Sequence, residues 1–309
     1  STIIATIFYL YFKRIFLTQT LKAHFLVLFA TFLVAGSFIA SSKLSGVIDS
    51  ISLTLFRFFL ASLFLAPVVL LNKKLREKII STMPRAMIIS LFYSLYFISF
   101  FKALETTTAL NAGTIYTLVP LITAVFCVFI FKDKISFYQM ILYFIGIIGT
   151  CIVVFKGNLE LFLSFSLNYG DFIFLFATVF MALYSISLKF LHKKDDELFV
   201  LVFTTLLGGC IWMFLALEIF NIPLEWKKIE GDLIFYMAYL VIGATLTTVY
   251  LYQKSSIILG PKKLMAYIYL NPAAVAVLMY IFERKLITSS ILVGIIISTF
   301  ATIVLLKQK

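Results

Sequence analysis

Charge is scarce in this chain. Only 13% of its 309 residues are Asp, Glu, Lys or Arg, against about 25% in soluble globular proteins. With 62% hydrophobic residues and a mean hydropathy of +1.09, that shortage excludes a soluble globule. No polar stretch is long enough for a sizeable soluble domain. Cysteine is also rare: Cys127, Cys151 and Cys210 all fall inside apolar segments, without metal-type spacing, and read as small buried side chains. The two histidines, His24 and His192, are too few and too far apart for a metal or catalytic cluster. A membrane-embedded enzyme needs a nucleophile–base pair or a metal cluster within its spans, and neither pattern is visible. No Gly-rich phosphate loop is found, so ATP is not expected to drive a cycle and no cofactor is indicated. Asp171, Glu218 and Glu283 lie at the ends of apolar segments. No carboxylate sits near the middle of one, which removes the usual proton relay of a pump.

Long apolar runs are what the chain has instead. A helix that crosses a bilayer needs about 20 mostly apolar residues. That ruler gives ten spans, near 25–42, 51–71, 85–101, 109–131, 138–155, 171–191, 198–220, 233–253, 264–282 and 286–306. The runs are too long for barrel strands and lack their period-two alternation. Residues 3–12 are apolar but too few to span, and Lys13-Arg14 follows at once. Residues 1–23 are therefore read as an N-terminal interfacial segment, with a signal-like stretch or an extension as alternatives.

The chain also repeats itself. Leu-Phe-Ala-Thr opens apolar segments at 28–31 and at 175–178, and from there seven of seventeen positions are identical. Lys102 and Pro120 recur in the same arrangement as Lys254 and Pro272. Both spacings are close to half the chain, so a unit of five spans has been duplicated, over 24–156 and 171–306. The formal net charge of +12 does not point to nucleic acid, because the basic residues form short clusters between apolar segments. With a cytoplasmic amino terminus, 18 of the 26 Lys and Arg fall inside, which is the orientation the positive-inside bias selects. Both termini are then cytoplasmic, in the cell inner (plasma) membrane. Five spans per unit force the two units to be inverted. The expected fold is an all-α integral membrane protein of ten transmembrane helices in two inverted five-helix repeats. An internal repeat of membrane helices is the mark of a transporter with its pathway between the halves.

The residues that carry a family likeness are Lys102-Ala103-Leu104, Ala109, Ala112-Gly113, Pro120, Asp133, and Gly146 and Gly149. Pro272, Glu283 and Gly294 keep the same order in the second half. This pattern resembles the repeat unit of the drug/metabolite transporter superfamily, EamA type, and Arg57 in Leu-Phe-Arg-Phe-Phe-Leu-Ala resembles the arginine of that family's second helix. The resemblance covers about 24–306. Lys262-Lys263 and Ser255-Ser256 depart from it, so the second half's contacts are the less transferable. The likeness implies ten helices, inverted repeats and export or exchange of small metabolites. A purely structural partner would not need two inverted units with matched polar stripes.

Polar residues inside spans are the functional candidates. Lys263, Tyr267 and Asn271 lie on one face of the ninth span, Asn111, Thr114 and Thr117 on one face of the fourth, and Thr245, Thr248 and Tyr252 on one face of the eighth. Tyr96 and Ser99, Tyr184 and Ser187, and Ser37 and Ser41 add to these. An isolated Ser or Thr can simply bond its own helix or glue helices together, for about 0.6 kcal/mol. A Tyr–Asn stripe is different, since Asn has four hydrogen-bonding sites to satisfy without water. The expected substrate site is Tyr96, Asn111, Thr114, Tyr184, Thr248, Tyr267 and Asn271, with Pro120 and Pro272 as repeat-matched hinges. Lys263 reads either as an ordinary positive-inside lysine or as a charge at the cavity mouth, and Arg57 as a structural residue that snorkels or bonds helix carbonyls. The partners are then the lipid bilayer and a small-molecule substrate. A small polar metabolite such as an amino acid fits neutral donors and aromatic surface. A multidrug exporter of lipophilic cations is the alternative, and it would want an acidic residue deep in the cavity.

Overall fold

The computed structural model describes residues 18–44, 46–107 and 109–308. Among these residues ten helices are long and apolar enough to cross a membrane, and no strand occurs. They are α1 (Gln19–Leu44), α2 (Ser50–Leu71), α3 (Ile79–Leu104), α4 (Asn111–Ile130), α5 (Phe137–Val154), α6 (Tyr169–Phe190), α7 (Leu198–Phe220), α8 (Leu233–Leu259), α9 (Pro261–Phe282) and α10 (Ser289–Lys307). Residues 1–17 of the expected interfacial segment lie outside the described residues, and residues 19–23 belong to α1.

Side-chain caps set many of the helix ends. Asp49 accepts from the Ile51 amide at 2.7 Å and starts α2. Ser136 with Gln139, and Asn168 with Asp171, form reciprocal capping boxes that start α5 and α6. Thr288 accepts from the Ile291 amide and starts α10. In a membrane such caps matter more than hydropathy, because the first amides of a helix must find acceptors. Hydropathy alone placed the starts of α1, α3, α9 and α10 a few residues away from where they fall.

The duplication is visible in the packing. With α1–α5 equated in order to α6–α10, the contacts pair off by a two-fold relation. Helix α1 packs on α8 and α9 as α6 packs on α3 and α4, and α2 packs on α8 as α7 packs on α3. The mates α2 and α7, α4 and α9, and α5 and α10 pack directly on each other. Five crossings per unit make this an inverted repeat. The α5–α10 pair approaches so closely that a Cβ on Gly149 would meet the Ser298 amide nitrogen at 2.6 Å, and one on Gly294 the Gly149 carbonyl at 2.8 Å. Small residues allow this contact, which in lipid depends on van der Waals packing rather than on hydrophobic burial. The outward faces carry Phe59, Phe64, Phe129, Phe144 and Phe300, all well exposed on the protein surface and suited to lipid.

Three helices are not regular. α4 is broken between Tyr116 and Val119, and its mate α9 into Pro261–Ala266, a 3-10 stretch Tyr267–Leu270, and a last segment that restarts at Asn271. Pro120 and Pro272 each stand at the second position of the segment that restarts after the break, where the missing amide costs least. α8 runs through π-helical turns from Tyr239 to Thr247. Such turns leave backbone carbonyls free for other partners and often mark functional segments.

Candidate functional site

A cavity of about 500 Å3 lies between the halves. It runs from the ends of α1, α2 and α3, at Ser41, Leu44, Ser50 and Leu104, down to Arg57, Tyr93, Thr248 and Tyr252 near mid-span. Its walls are mainly aromatic: Phe38, Tyr96, Phe97, Phe100, Phe101, Tyr116 and Phe174. Tyr96 and Phe100 are parallel at 6.1 Å, and Tyr116 lies beside both Tyr96 and Phe174. No Asp or Glu is among the lining residues, and the one charged group is Arg57. Arg57 is 7% exposed, and its guanidinium donates from Nε to Thr245 Oγ1 at 3.0 Å and from Nη2 to the Ala244 carbonyl at 3.3 Å. Both acceptors belong to the π-helical turns of α8.

Below the cavity the path is shut. Val27, Ile89, Val119, Tyr184, Leu188, Tyr252, Leu264, Met265, Tyr267 and Ile268 form one buried cluster contributed by α1, α3, α4, α6, α8 and α9. The Tyr184 hydroxyl in this plug is buried without a protein hydrogen-bond partner, as are Ser94 Oγ, Gln253 Oε1 and Asn271 Oδ1 elsewhere in the interior. Unsatisfied groups of this kind cost about 1–3 kcal/mol each.

Beyond the plug lies the face with the basic loops. Three ion pairs tie its segments together: Arg85–Asp196 at 2.6 Å, Lys74–Glu197 at 2.8 Å and Lys262–Asp133 at 2.7 Å. The first is a two-pronged latch between α3 and the α6–α7 loop, with Arg85 Nη2 also donating to Asp196 Oδ1 at 2.7 Å. The Lys193 amide donates to the same carboxylate at 2.7 Å, and Arg85 reaches the Leu191 carbonyl. Burial pushes the Asp196 carboxyl up, but the hydrogen bonds from Arg85 and Lys193 and the neighbouring positive charges outweigh it and leave it below the usual carboxylate range. His192 is pushed down by burial and by Lys189 and Arg85, against the pull of Asp196. On the opposite face, the ion pairs among the described residues are local ones, Lys102–Glu105 and Lys228–Glu225.

The seven residues expected at the site separate into groups. Tyr96 and Thr248 line the cavity. Thr248 donates to the Ala244 carbonyl at 2.9 Å, beside the Arg57 bond. Tyr184 and Tyr267 lie in the plug: Tyr184 stacks on Tyr93 at 4.4 Å, and the Tyr267 hydroxyl donates to the His24 carbonyl at 3.2 Å and sits 3.0 Å from His24 Nδ1. Asn271 is buried where α9 restarts. Asn111 donates to Asp171 Oδ2 at 2.8 Å and to the Ser166 carbonyl, so it ties α4 to the start of α6 together with Thr107, which also bonds Asp171. Thr114 is half-buried and outside the cavity lining.

Arg57, Tyr93, Tyr116 and Tyr252 also line the cavity and were not among the seven. Each had a signal. Arg57 is a charge well inside an apolar run, Tyr93 lies three residues before Tyr96 on α3, and Tyr252 is the third member of the α8 stripe. The expectation that Arg57 bonds helix carbonyls holds at Ala244, but it reaches across to α8 instead of snorkelling to the surface.

Comparison with known proteins agrees with this architecture. The sequence model of the EamA-like transporter family matches residues 21–155 and again 168–307. An uncharacterized transporter of Bacillus subtilis (strain 168), YyaM, is 28% identical over 131 residues, which are 40% of this chain and 43% of that protein. A solved crystal structure superposes with a TM-score of 0.75 at 17% identity, over 92% of this chain and 96% of that one, a likeness of fold. The family match falls on both units and takes in the cavity, the plug and the latch: the chain belongs to the EamA-like transporter family and is a multi-pass membrane transporter.

Proposed function

We propose that the protein is a secondary transporter that exports a small polar metabolite, an amino acid or a related compound, by alternating access between its two inverted units. The observation that carries this reading is the one-sided cavity: about 500 Å3 between the halves, aromatic and hydroxyl-bearing, shut on one side by a plug. Its size is in the range of small-ligand pockets, and tyrosines give an occupant both apolar surface and directed hydrogen bonds. The basic face is taken as cytoplasmic, so this state faces outward.

Exchange of the two units' conformations supplies the other state. With the repeat offset of Leu-Phe-Ala-Thr, Ser37 and Ser41 of the cavity correspond to Tyr184 and Leu188 of the plug. When α6 takes the place α1 now has, Tyr184 and Leu188 face a cavity open to the cytoplasm. Tyr267 and Asn271 line it from α9, and the Tyr184 hydroxyl of the plug becomes hydrated. Tyr96 and Thr248, near mid-span, serve both states, and the breaks at Pro120 and Pro272 are the hinges. The substrate's own gradient is sufficient to drive export of a metabolite made inside the cell.

The lipophilic-cation alternative is disfavoured by the same walls, which offer Arg57 and no carboxylate. The test is the purified protein in liposomes, loaded in turn with labelled amino acids, nucleosides and lipophilic cations. Saturable counterflow of an amino acid supports the proposal. Counterflow of lipophilic cations alone contradicts it.

A further inference from the structure

We infer that Arg57 is the receptor for a carboxylate, and that the cavity takes small organic monocarboxylates with an aromatic or bulky apolar tail. The inference rests on the transporter reading of the cavity, and it adds the charge and shape of the occupant.

The argument begins with the cost of the side chain. An arginine stays protonated in proteins. Here it is 7% exposed, about two turns inside α2, in a wall that is otherwise apolar or hydroxyl-bearing. Burying such a charge requires a compensating charge or a full set of hydrogen bonds. Arg57 has neither from the protein. Its two acceptors, Thr245 Oγ1 and the Ala244 carbonyl, are neutral, and the Phe97 ring 5.9 Å away offers only its π-face. None of the ion pairs among the described residues involves Arg57. A guanidinium has five donors, and the two bonds use one on Nε and one on Nη2. The remaining edge belongs to a residue that lines the cavity. A planar fork with free donors matches a carboxylate through two parallel bonds, a geometry that a spherical halide cannot use.

The surroundings define the rest of the ligand. Tyr93, Tyr96, Tyr116 and Phe100 line the same cavity, which provides an aromatic surface on which a flat ring can stack. No lining carboxylate awaits an ammonium group, so the amine of an amino acid is tolerated without being required. The two existing bonds also fix where the anion acts: they hold Arg57 to the π-helical turns of α8, and a carboxylate that draws the guanidinium toward the cavity pulls against them.

Four probes that share a phenyl tail separate the terms: 3-phenylpropionate, L-phenylalanine, L-phenylalaninamide and phenethylamine. Binding to the purified full chain in detergent or nanodiscs is read by calorimetry, and counterflow in liposomes is read separately. We expect the two carboxylates to bind and the amide and the amine to bind at least about tenfold more weakly, the usual weight of a charge-assisted pair. Arg57→Gln should lose carboxylate binding by a similar factor, and Arg57→Lys should recover part of it, without the bidentate geometry. Thr245→Val removes the tie to α8 but keeps the charge, so it should cost no more than about threefold. An Arg57 that only braces α8 predicts the reverse: Thr245→Val as damaging as Arg57→Gln. Equal binding of amide and acid, carboxylate binding unchanged in Arg57→Gln, competition by chloride alone at equal concentration, or no binding of any probe each overturns the inference. Counterflow of a neutral or cationic solute by a protein that ignores the carboxylates sinks the assignment of Arg57 and leaves the transporter reading standing. Carboxylates that bind but are never carried do the opposite.

Discussion

Thr248 illustrates how a residue in a membrane protein can serve two ends at once: its hydroxyl satisfies the Ala244 carbonyl, while its other side forms part of the cavity wall. Removing a wall residue should therefore act on affinity more than on folding. Tyr96→Ala and Thr248→Ala are expected to raise the apparent KM of the transported solute about three- to tenfold, the effect of one hydrogen bond or one ring contact. Ile296→Ala, at a surface position on α10, should leave it unchanged. A filter assay with all three variants at matched abundance checks this, and equal KM values throughout would move the site out of the cavity. The chemistry of this site was partly legible from residue types. Tyr96 and Thr248 were readable as polar residues inside spans, but which helix face looks into a cavity depends on how each helix is rotated against its neighbours. Asn111 shows the limit. Its amide marked it as costly to bury, and the amide nitrogen donates to Asp171 and Ser166, residues far away in the sequence.

At the scale of helices, α4 and α9 carry matched interruptions that sequence disclosed through Pro120 and Pro272 alone. A proline predicts a kink, but the 3-10 stretch before Asn271 and the π-helical turns of α8 left no mark in composition, because they arise from how neighbouring helices meet. Pro120→Ala and Pro272→Ala each return a backbone donor and should stiffen these breaks. Both variants should insert at normal abundance while their turnover falls at least about threefold, a modest rise in the barrier; unchanged turnover in the double variant would reduce the prolines to relics of the duplication. The latch at the far end of α3 is the complementary element. Breaking a largely buried, two-pronged pair costs about 3 kcal/mol, and Arg85–Asp196 contributes to the present state alone if the plug opens between α3 and the α6–α7 loop. The Asp196 carboxyl is depressed in this state. Its contribution is therefore complete above the ordinary carboxylate range, near pH 4, and is lost as pH falls through the depressed value. Asp196→Asn reproduces the protonated form at neutral pH. It should expose Tyr184→Cys to a thiol reagent supplied on the basic face at a rate at least about tenfold above that of Tyr184→Cys alone. An unchanged rate would show that the latch does not hold the plug.

For the whole molecule, orientation and cycling are the open quantities that physical argument reaches. The clustering of basic residues predicts that the 72–78 and 192–197 loops are cytoplasmic. Asn72→Cys in intact cells should accordingly resist an impermeant maleimide applied outside, and ready labelling would invert the topology. The architecture itself was legible early, since span length and an internal repeat of five spans leave little choice but two inverted units. What sequence could not give is the conformation seen here, with a cavity on one side and a buried cluster on the other, because it depends on how the paired helices are tilted against each other. The most direct test of alternating access uses repeat-matched positions in a background without Cys127, Cys151 and Cys210: Ser41→Cys in the cavity and Leu188→Cys, its mate in the plug. The account predicts that an impermeant maleimide in oriented liposomes reaches Ser41→Cys only from the face opposite the basic loops and Leu188→Cys only from the basic face. Asp196→Asn should lower the first rate as it raises the second. Labelling of both positions from one face, or a Leu188→Cys that stays protected from both faces while solute is being carried, would contradict it.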